Sequence, residues 1–421
     1  MTLRVLVYPH DLGIGGSQLN AIEIAAALQR RGHRVIVFGT PGALVQRIAD
    51  LGLEFVAAPR PGRRPSPRVA RALADLVVER KIDVLHGYEW PPALECILAS
   101  RLQPSAVAVS TVMSMAVAPF LPKSLPLAVG TEAIAAAERA FGRSSVSLLE
   151  PPVDLTENHP GAVPAGVFGA GDDGRFTVGM VTRFAHQLKL EGILTAIDTV
   201  GALARHTAIR LVIAGDGPAR EEVAARAAHV NANSGAGTVV LLGEVTDPRP
   251  VYESADVMLG MGGSALKALA FAKPLVVQGE GGYWELLTPD TLPEFLWAGW
   301  YGVGESAETG PARLEGILRQ LLEDAGLRAE VGAFGLATVH GRFSVEAAAL
   351  TQLAIYREAL QLRVTRGQQV RHDAAALTRY ARYYAGKRVR RLIGIEQTDD
   401  FNARPARVRP GSLPVTTGAG S

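Results

Sequence analysis

Short runs rich in β-branched residues alternate with longer amphipathic stretches along most of the chain, and the alternation breaks once and restarts. This double series constrains the fold more than any single motif. Strands separated by helices pair as parallel βαβ units rather than as hairpins. In the first series the expected strands are Leu3–Tyr8, Arg34–Phe38, Glu54–Ala57, Asp83–His86, Ala106–Ser110 and Leu125–Val129. A helix is expected from about Ser17 to Arg31, with Leu19, Ile22, Ala26 and Leu28 near helical spacing and Gly32-His33 as its stop. Pro151–Arg175, with four prolines and little periodicity, reads as a linker. The second series has strands at Phe176–Val181, Arg210–Ala214, Val239–Leu242, Asp256–Leu259 and Pro274–Gln278.

The expected architecture is therefore α/β: a Rossmann-like domain over 1–150, a linker over 151–175 and a second Rossmann-like domain over 176–343. Helices carrying a basic segment follow over 344–396, and a polar, Pro/Gly-rich tail over 397–421 is expected to be disordered. In open parallel sheets ligands bind beyond the carboxyl ends of the strands. Two such sheets facing each other could hold a donor on one domain and an acceptor on the other.

A hydrophobic fraction of 48% in 421 residues is enough for two cores. The formal charge of +2 excludes a global pull toward nucleic acid or anionic lipid and leaves only local patches. The single cysteine, Cys96, excludes an internal disulfide and a cysteine-based zinc site and suggests a reducing compartment. No stretch reads as a signal peptide or a membrane span, so the cytoplasm is the expected location.

The turn Gly13-Ile14-Gly15-Gly16-Ser17-Gln18 follows the first strand and opens a helix, where free amides favour an anion. Gln18 stands where a dinucleotide fingerprint needs Gly or Ala, which argues against a dehydrogenase. Past the strand Phe176–Val181 come Arg183 and Lys189, two cations that can clamp a diphosphate; solvated surface cations are the plainer alternative. The loop Gly260-Met261-Gly262-Gly263-Ser264 follows another strand, with Ser264 expected as an N-cap and Lys267 in the first helical turn. A cation there opposes the helix dipole unless an anion binds beside it.

Taken in order, these motifs resemble retaining glycosyltransferase family 4, with its GT-B fold. The resemblance covers nearly all of 1–362. It rests on Gly15-Gly16-Ser17 with Arg31-Gly32-His33, on Arg183 and Lys189, and on Ile213-Ala214-Gly215-Asp216-Gly217-Pro218. Leu242-Gly243, Ala272-Lys273-Pro274, Gly281-Gly282 with Glu285, and Arg342-Phe343-Ser344 complete it. It implies that Arg183 and Lys189 hold a donor diphosphate, that Gly15, Gly16 and Ser17 close over it, and that Gly243 and Glu244 lie near the donor base. Gly262, Gly263, Ser264 and Lys267 would then border the donor sugar.

Two features depart from that pattern. Lys267 stands in place of the second of two glutamates that bracket the donor-sugar loop, and the first is missing as well. The donor could then carry extra negative charge, as a phosphorylated pentose diphosphate does. The acceptor-side histidine is also missing from Thr111-Val112-Met113-Ser114-Met115, which leaves His86, Glu89 and Trp90 as acceptor-side candidates. A binding protein that kept the fold and lost the chemistry is the non-enzymatic alternative. The expected reaction is sugar transfer from a nucleotide-sugar donor to a small molecule or glycan, with retention and with neither metal nor cofactor. Between Arg363 and Arg391 nine Arg or Lys stand against one acid, Asp373. A solvated helix and peripheral contact with anionic membrane are the readings kept for 363–391, with no specific nucleic-acid partner.

Overall fold

The computed structural model describes residues 2–62, 64–166, 174–362 and 365–392. The first domain contains β1 (Arg4–Tyr8), α1 (Gly16–Arg30), β2 (Arg34–Gly39), α2 (Val45–Asp50), β3 (Glu54–Ala57) and α3 (Pro67–Arg80). It continues with β4 (Val84–Tyr88), α4 (Trp90–Leu102), β5 (Val107–Val112), β6 (Leu127–Val129), α5 (Glu132–Ala140) and β7 (Val146–Leu148). The second comprises β8 (Phe176–Val181), α6 (Leu190–Leu203), β9 (Ile209–Ala214), α7 (Arg220–Ser234), β10 (Val239–Gly243) and α8 (Arg249–Ser254). Then come β11 (Val257–Gly260), α9 (Gly263–Ala270), β12 (Leu275–Gln278), β13 (Trp284–Leu286) and α10 (Leu292–Ala298). Four helices close the described chain: α11 (Gly310–Glu323), α12 (Ala325–Arg342), α13 (Val345–Gln361) and α14 (Arg366–Leu392).

The first sheet is parallel throughout, in the order β3-β2-β1-β4-β5-β6-β7. The second has the order β10-β9-β8-β11-β12-β13, with only β13 antiparallel. Both sheets are covered on two faces, which is why their central strands read as unbroken apolar runs. In β1, Val5 and Val7 enter the core under α1 and α13, while Leu6 and Tyr8 enter the core under α3 and α4. The period of two divides each strand between two cores.

The chain passes between domains at two adjacent points. Val153, in the linker, and Ser344, at the start of α13, form a parallel bridge, with Val153 N donating to the Phe343 carbonyl at 2.7 Å. Ser344 caps α13 by accepting from Ala347 N at 3.2 Å. α13 then returns to the first domain, where Val345, Ala349, Leu353 and Tyr356 share one core with Val5 and Val7.

The basic segment is not a helix standing free in water. On α14, Tyr380 donates to the Arg64 carbonyl at 2.8 Å and Arg379 to the Pro119 carbonyl at 2.7 Å. Asp373 pairs with Arg101 of α4 at 3.0 Å. Tyr380, Tyr383 and Tyr384 surround the buried Phe120 ring. The helix is docked on the first domain. The expected tail, 397–421, lies outside the described residues.

Candidate active site

On the donor side, β8 ends at Val181 and the chain turns through Thr182-Arg183-Phe184 against the loop after β9. A Cβ on Gly215 would sit 1.7 Å from the Thr182 carbonyl oxygen, so only glycine lets these loops touch. Phe184 N then donates to the Asp216 carbonyl at 2.9 Å. Phe184 is buried and Arg183 is left exposed, its guanidinium with no hydrogen bond or ion pair among the described residues.

Lys189 stands at the N-cap of α6, held by a reciprocal clasp. Leu188 has φ 64°, a region costly for a branched side chain, and its N–H donates to Glu280 Oε1 at 3.2 Å. Tyr301 donates to the other oxygen of Glu280 at 2.7 Å. In return, Glu191 accepts from Gly281 N at 3.2 Å and from Gly282 N at 2.7 Å. Lys189 keeps some solvent contact, yet the protein crowding it removes enough hydration to lower its ammonium to about 8. Among the described residues its Nζ has no hydrogen-bond or carboxylate partner. A poorly hydrated cation on the same strand-end loop as an exposed arginine favours an anion.

The other expected donor-side residues lie at the carboxyl ends of β1, β10 and β11 and on α9. At Gly16, Gly243, Gly262 and Gly263 nothing stands within 4 Å of where a Cβ would be, so these backbones border open space. Gly15 is extended and lies against the Gln18 side chain. Glu244 is exposed just past β10. Two expectations about α9 need correction. The helix starts at Gly263 with Gly262 as N-cap, and Ser264 instead donates back to the Met261 carbonyl at 3.0 Å. Lys267 falls in the last turn of this short helix, where its charge agrees with the dipole. Its charge acts on two carboxylates: it opposes the rise that burial gives Glu23 on α1, and it adds a little to the lowering of Asp247 that the Arg249 hydrogen bond causes.

The acceptor-side candidates separate by depth. His86 points into the core, with Nδ1 2.8 Å from the Tyr356 hydroxyl and Nε2 2.8 Å from the Thr111 hydroxyl. Burial lowers its pKa to about 3, so the ring is neutral, and both nitrogens are committed to packing α13 against the sheet. It is a core histidine, not an acceptor contact. The Trp90 ring lies edge-on to Phe120 at 5.4 Å, within the cluster that seats α14. Its recognisable role is packing.

Glu89 is different. It sits between β4 and α4 with φ 64° in a non-glycine residue. Its carboxylate accepts from Ser17 Oγ at 3.2 Å, Met113 N at 2.9 Å and Ser114 Oγ at 2.6 Å. Desolvation raises its pKa, and these hydrogen bonds oppose the rise. One carboxylate thus joins the loops after β1, β4 and β5 at the carboxyl edge of the first sheet.

Two residues there were not among those expected. His10 has φ 75°, and its Nδ1 lies 2.7 Å from Asp11 Oδ2, one residue before the glycine turn. Burial and the charge of Arg64 lower the pKa of His10, keeping it neutral. The sequence signal was a His-Asp pair directly after a strand. Among the described residues no group of three or more His, Cys, Asp or Glu is arranged to hold a metal.

Residues 14–140 match the family profile described as Glycosyltransferase Family 4, and residues 175–297 match that described as Glycosyl transferases group 1. The chain belongs to glycosyltransferase family 4. A search of curated proteins gives no match to this glycosyltransferase. Solved structures do share its GT-B fold. A glycosyltransferase from Rickettsia africae is 16% identical with a TM-score of 0.66, covering 86% of this chain and 100% of that one. HepE of Anabaena, in complex with UDP and glucose, is 14% identical with a TM-score of 0.65 at the same coverage. The catalytic domain of starch synthase IV from Arabidopsis thaliana, bound to ADP and acarbose, is 13% identical with a TM-score of 0.65, again covering 86% and 100%.

Proposed function

We propose that this glycosyltransferase moves a sugar from a nucleoside-diphosphate donor to a hydroxyl or amine of a small molecule or glycan, with retention. The observation that carries the reading is the loop after β8, where Arg183 is exposed and Lys189 is desolvated, its Nζ without a carboxylate partner among the described residues. Two cations at that edge can neutralise the charge that builds on a departing diphosphate, with no metal required. In the proposed step the acceptor oxygen bonds to the anomeric carbon as the bond from that carbon to the phosphate oxygen breaks. The electron pair leaves with the diphosphate, whose oxygen takes the acceptor proton. Glu89, fixed by Ser17, Met113 and Ser114, orients the acceptor. The complexes of HepE with UDP and glucose and of starch synthase IV with ADP lend support through a shared fold.

A second reading has one specific observation behind it. Lys267 stands where a glutamate is expected, which favours a donor with an additional phosphate or carboxylate. Thermal-shift measurements against UDP, GDP, TDP and phosphorylated sugars separate the two. A shift with one nucleoside diphosphate that Arg183→Ala and Lys189→Ala abolish supports the first reading. Undiminished transfer by both variants overturns the diphosphate clamp.

A further inference from the structure

The docking of α14 uses one side of the helix and leaves the other side unusual for a surface. The inner side carries Ala376, Tyr380, Tyr383 and Tyr384 against Phe120 and its neighbours. On the outer side, Val370 is 60% exposed, Leu377 69%, Val389 56% and Leu392 79%. At 3.6 residues per turn, Val370, Leu377 and Leu392 lie along one stripe, and the exposed Ala374, Ala381 and Ala385 fill the gaps between them. Arg371 and Arg382 are exposed beside that stripe, and Arg388 is exposed within it. On α4, Leu98 is 40% and Leu102 48% exposed in the last turns of the helix, beside Arg101, which pairs with Asp373 of α14.

Water alone does not account for this face. A solvated helix puts polar residues outward, and a protein core would not take in three arginines without carboxylates to meet them. Apolar side chains interleaved with unmatched positive charge suit an interface that is apolar below and negative above. Position adds to the argument. Tyr380 and Arg379 bind the loops after β3 and β5, at the carboxyl edge of the first sheet where Glu89 lies. From Tyr380 the helix runs on to Leu392, about 18 Å of further rise beside that edge.

We propose that the outer face of α14, with Leu98 and Leu102 of α4, seats the enzyme on an anionic lipid surface. The acceptor side of the first domain is thereby held at the membrane. The proposal rests on the reading of that edge as the acceptor side. The binding itself does not depend on which sugar is transferred.

The test uses the full chain and vesicles of phosphatidylcholine, with and without phosphatidylglycerol, in a sedimentation assay at low and high salt. The wild type is expected to sediment with the anionic vesicles only, and less so in high salt. Leu377→Ser with Val389→Ser is expected to weaken partition. Arg371→Glu with Arg382→Glu and Arg388→Glu is expected to weaken it by about fivefold or more for each charge reversed. Both variants should keep the thermal midpoint and the thermal shift with the donor-site nucleotide. A fault in the donor reading would appear in that shift, and a fault in this proposal only in the vesicles. Equal partition to both vesicle types, or to neither, overturns it. So does a dimer in light scattering that the same substitutions dissolve, because the face would then belong to a second copy.

Discussion

Ser17 Oγ lies 3.2 Å from Oε1 of Glu89, joining the glycine turn that opens α1 to the strained residue that opens α4. The same carboxylate holds Met113 N and Ser114 Oγ, so the loops after β1, β4 and β5 share one anchor. Non-glycine residues at positive φ cost about 1–3 kcal/mol and persist where the surroundings compel them.

Glu89→Gln keeps the shape and removes the charge. Transfer is expected to fall by about a hundredfold or more, with nucleotide affinity nearly unchanged. Separate kcat and nucleotide Kd measurements check this. Equal losses in both would make Glu89 a structural residue of the donor loop.

Lys189 predicts a pH dependence. Its folded-state ammonium titrates near 8, below the ordinary 10.5. Only the protonated form attracts a diphosphate, so the affinity of the cognate nucleoside diphosphate should hold below pH 8 and decline as pH rises above it. Lys189→Arg should flatten the profile, and Lys189→Ala should weaken binding by about ten- to a hundredfold. Titration calorimetry at pH 7 and pH 9 distinguishes these outcomes.

His86 carries the opposite prediction for function. Its pKa is lowered from 6.5 to about 3, so the unfolded state binds more protons between those values. The stability it contributes is full above pH 6.5 and is lost as pH falls. His86→Leu leaves the Tyr356 and Thr111 hydroxyls without their partner and should cost about 2–4 kcal/mol. The folded fraction should keep its kcat. Thermal melts at pH 7 and pH 5 should show a steeper acid loss in the wild type than in the variant.

Glu23 reverses that sign. Burial raises its carboxyl from 4.5 to about 7 despite the pull of Lys267. The native state holds the extra proton, so stability should decrease as pH climbs from 4.5 to 7. Glu23→Gln should remove that slope, and Lys267→Ala should steepen it near neutrality. A melting midpoint of Glu23→Gln that tracks the wild type across this range would contradict the assignment.

Much of the frame could be read from the residues. The inner strands of both sheets sit in apolar runs rich in β-branched residues, and their expected positions agree with the structure to within a residue or two. The edge strands β7 and β13 were not expected. Each spans three residues, too short for a period of two to register. The placement of Arg183 and Lys189 at the carboxyl edge of the second sheet was legible because a loop directly after a strand leaves little choice of edge. His86 misled because a polar residue at a strand end points either to the cleft or to the core, and only the later helix α13 decides which. The docking of α14 depended on Phe120, far away in sequence, which no local pattern could supply.

The paired crossing at Val153 and Ser344 has a consequence for how the protein can be shortened. Since α13 completes the core beneath β1, the end of the chain is a structural part of its beginning. A chain ending after Arg342 would lack α13, which packs on α1 and β5 and supplies Tyr356, the partner of His86, and it would also take Phe343 out of the carboxyl-terminal core. The last part of the first lobe's core is therefore synthesised only after the second lobe.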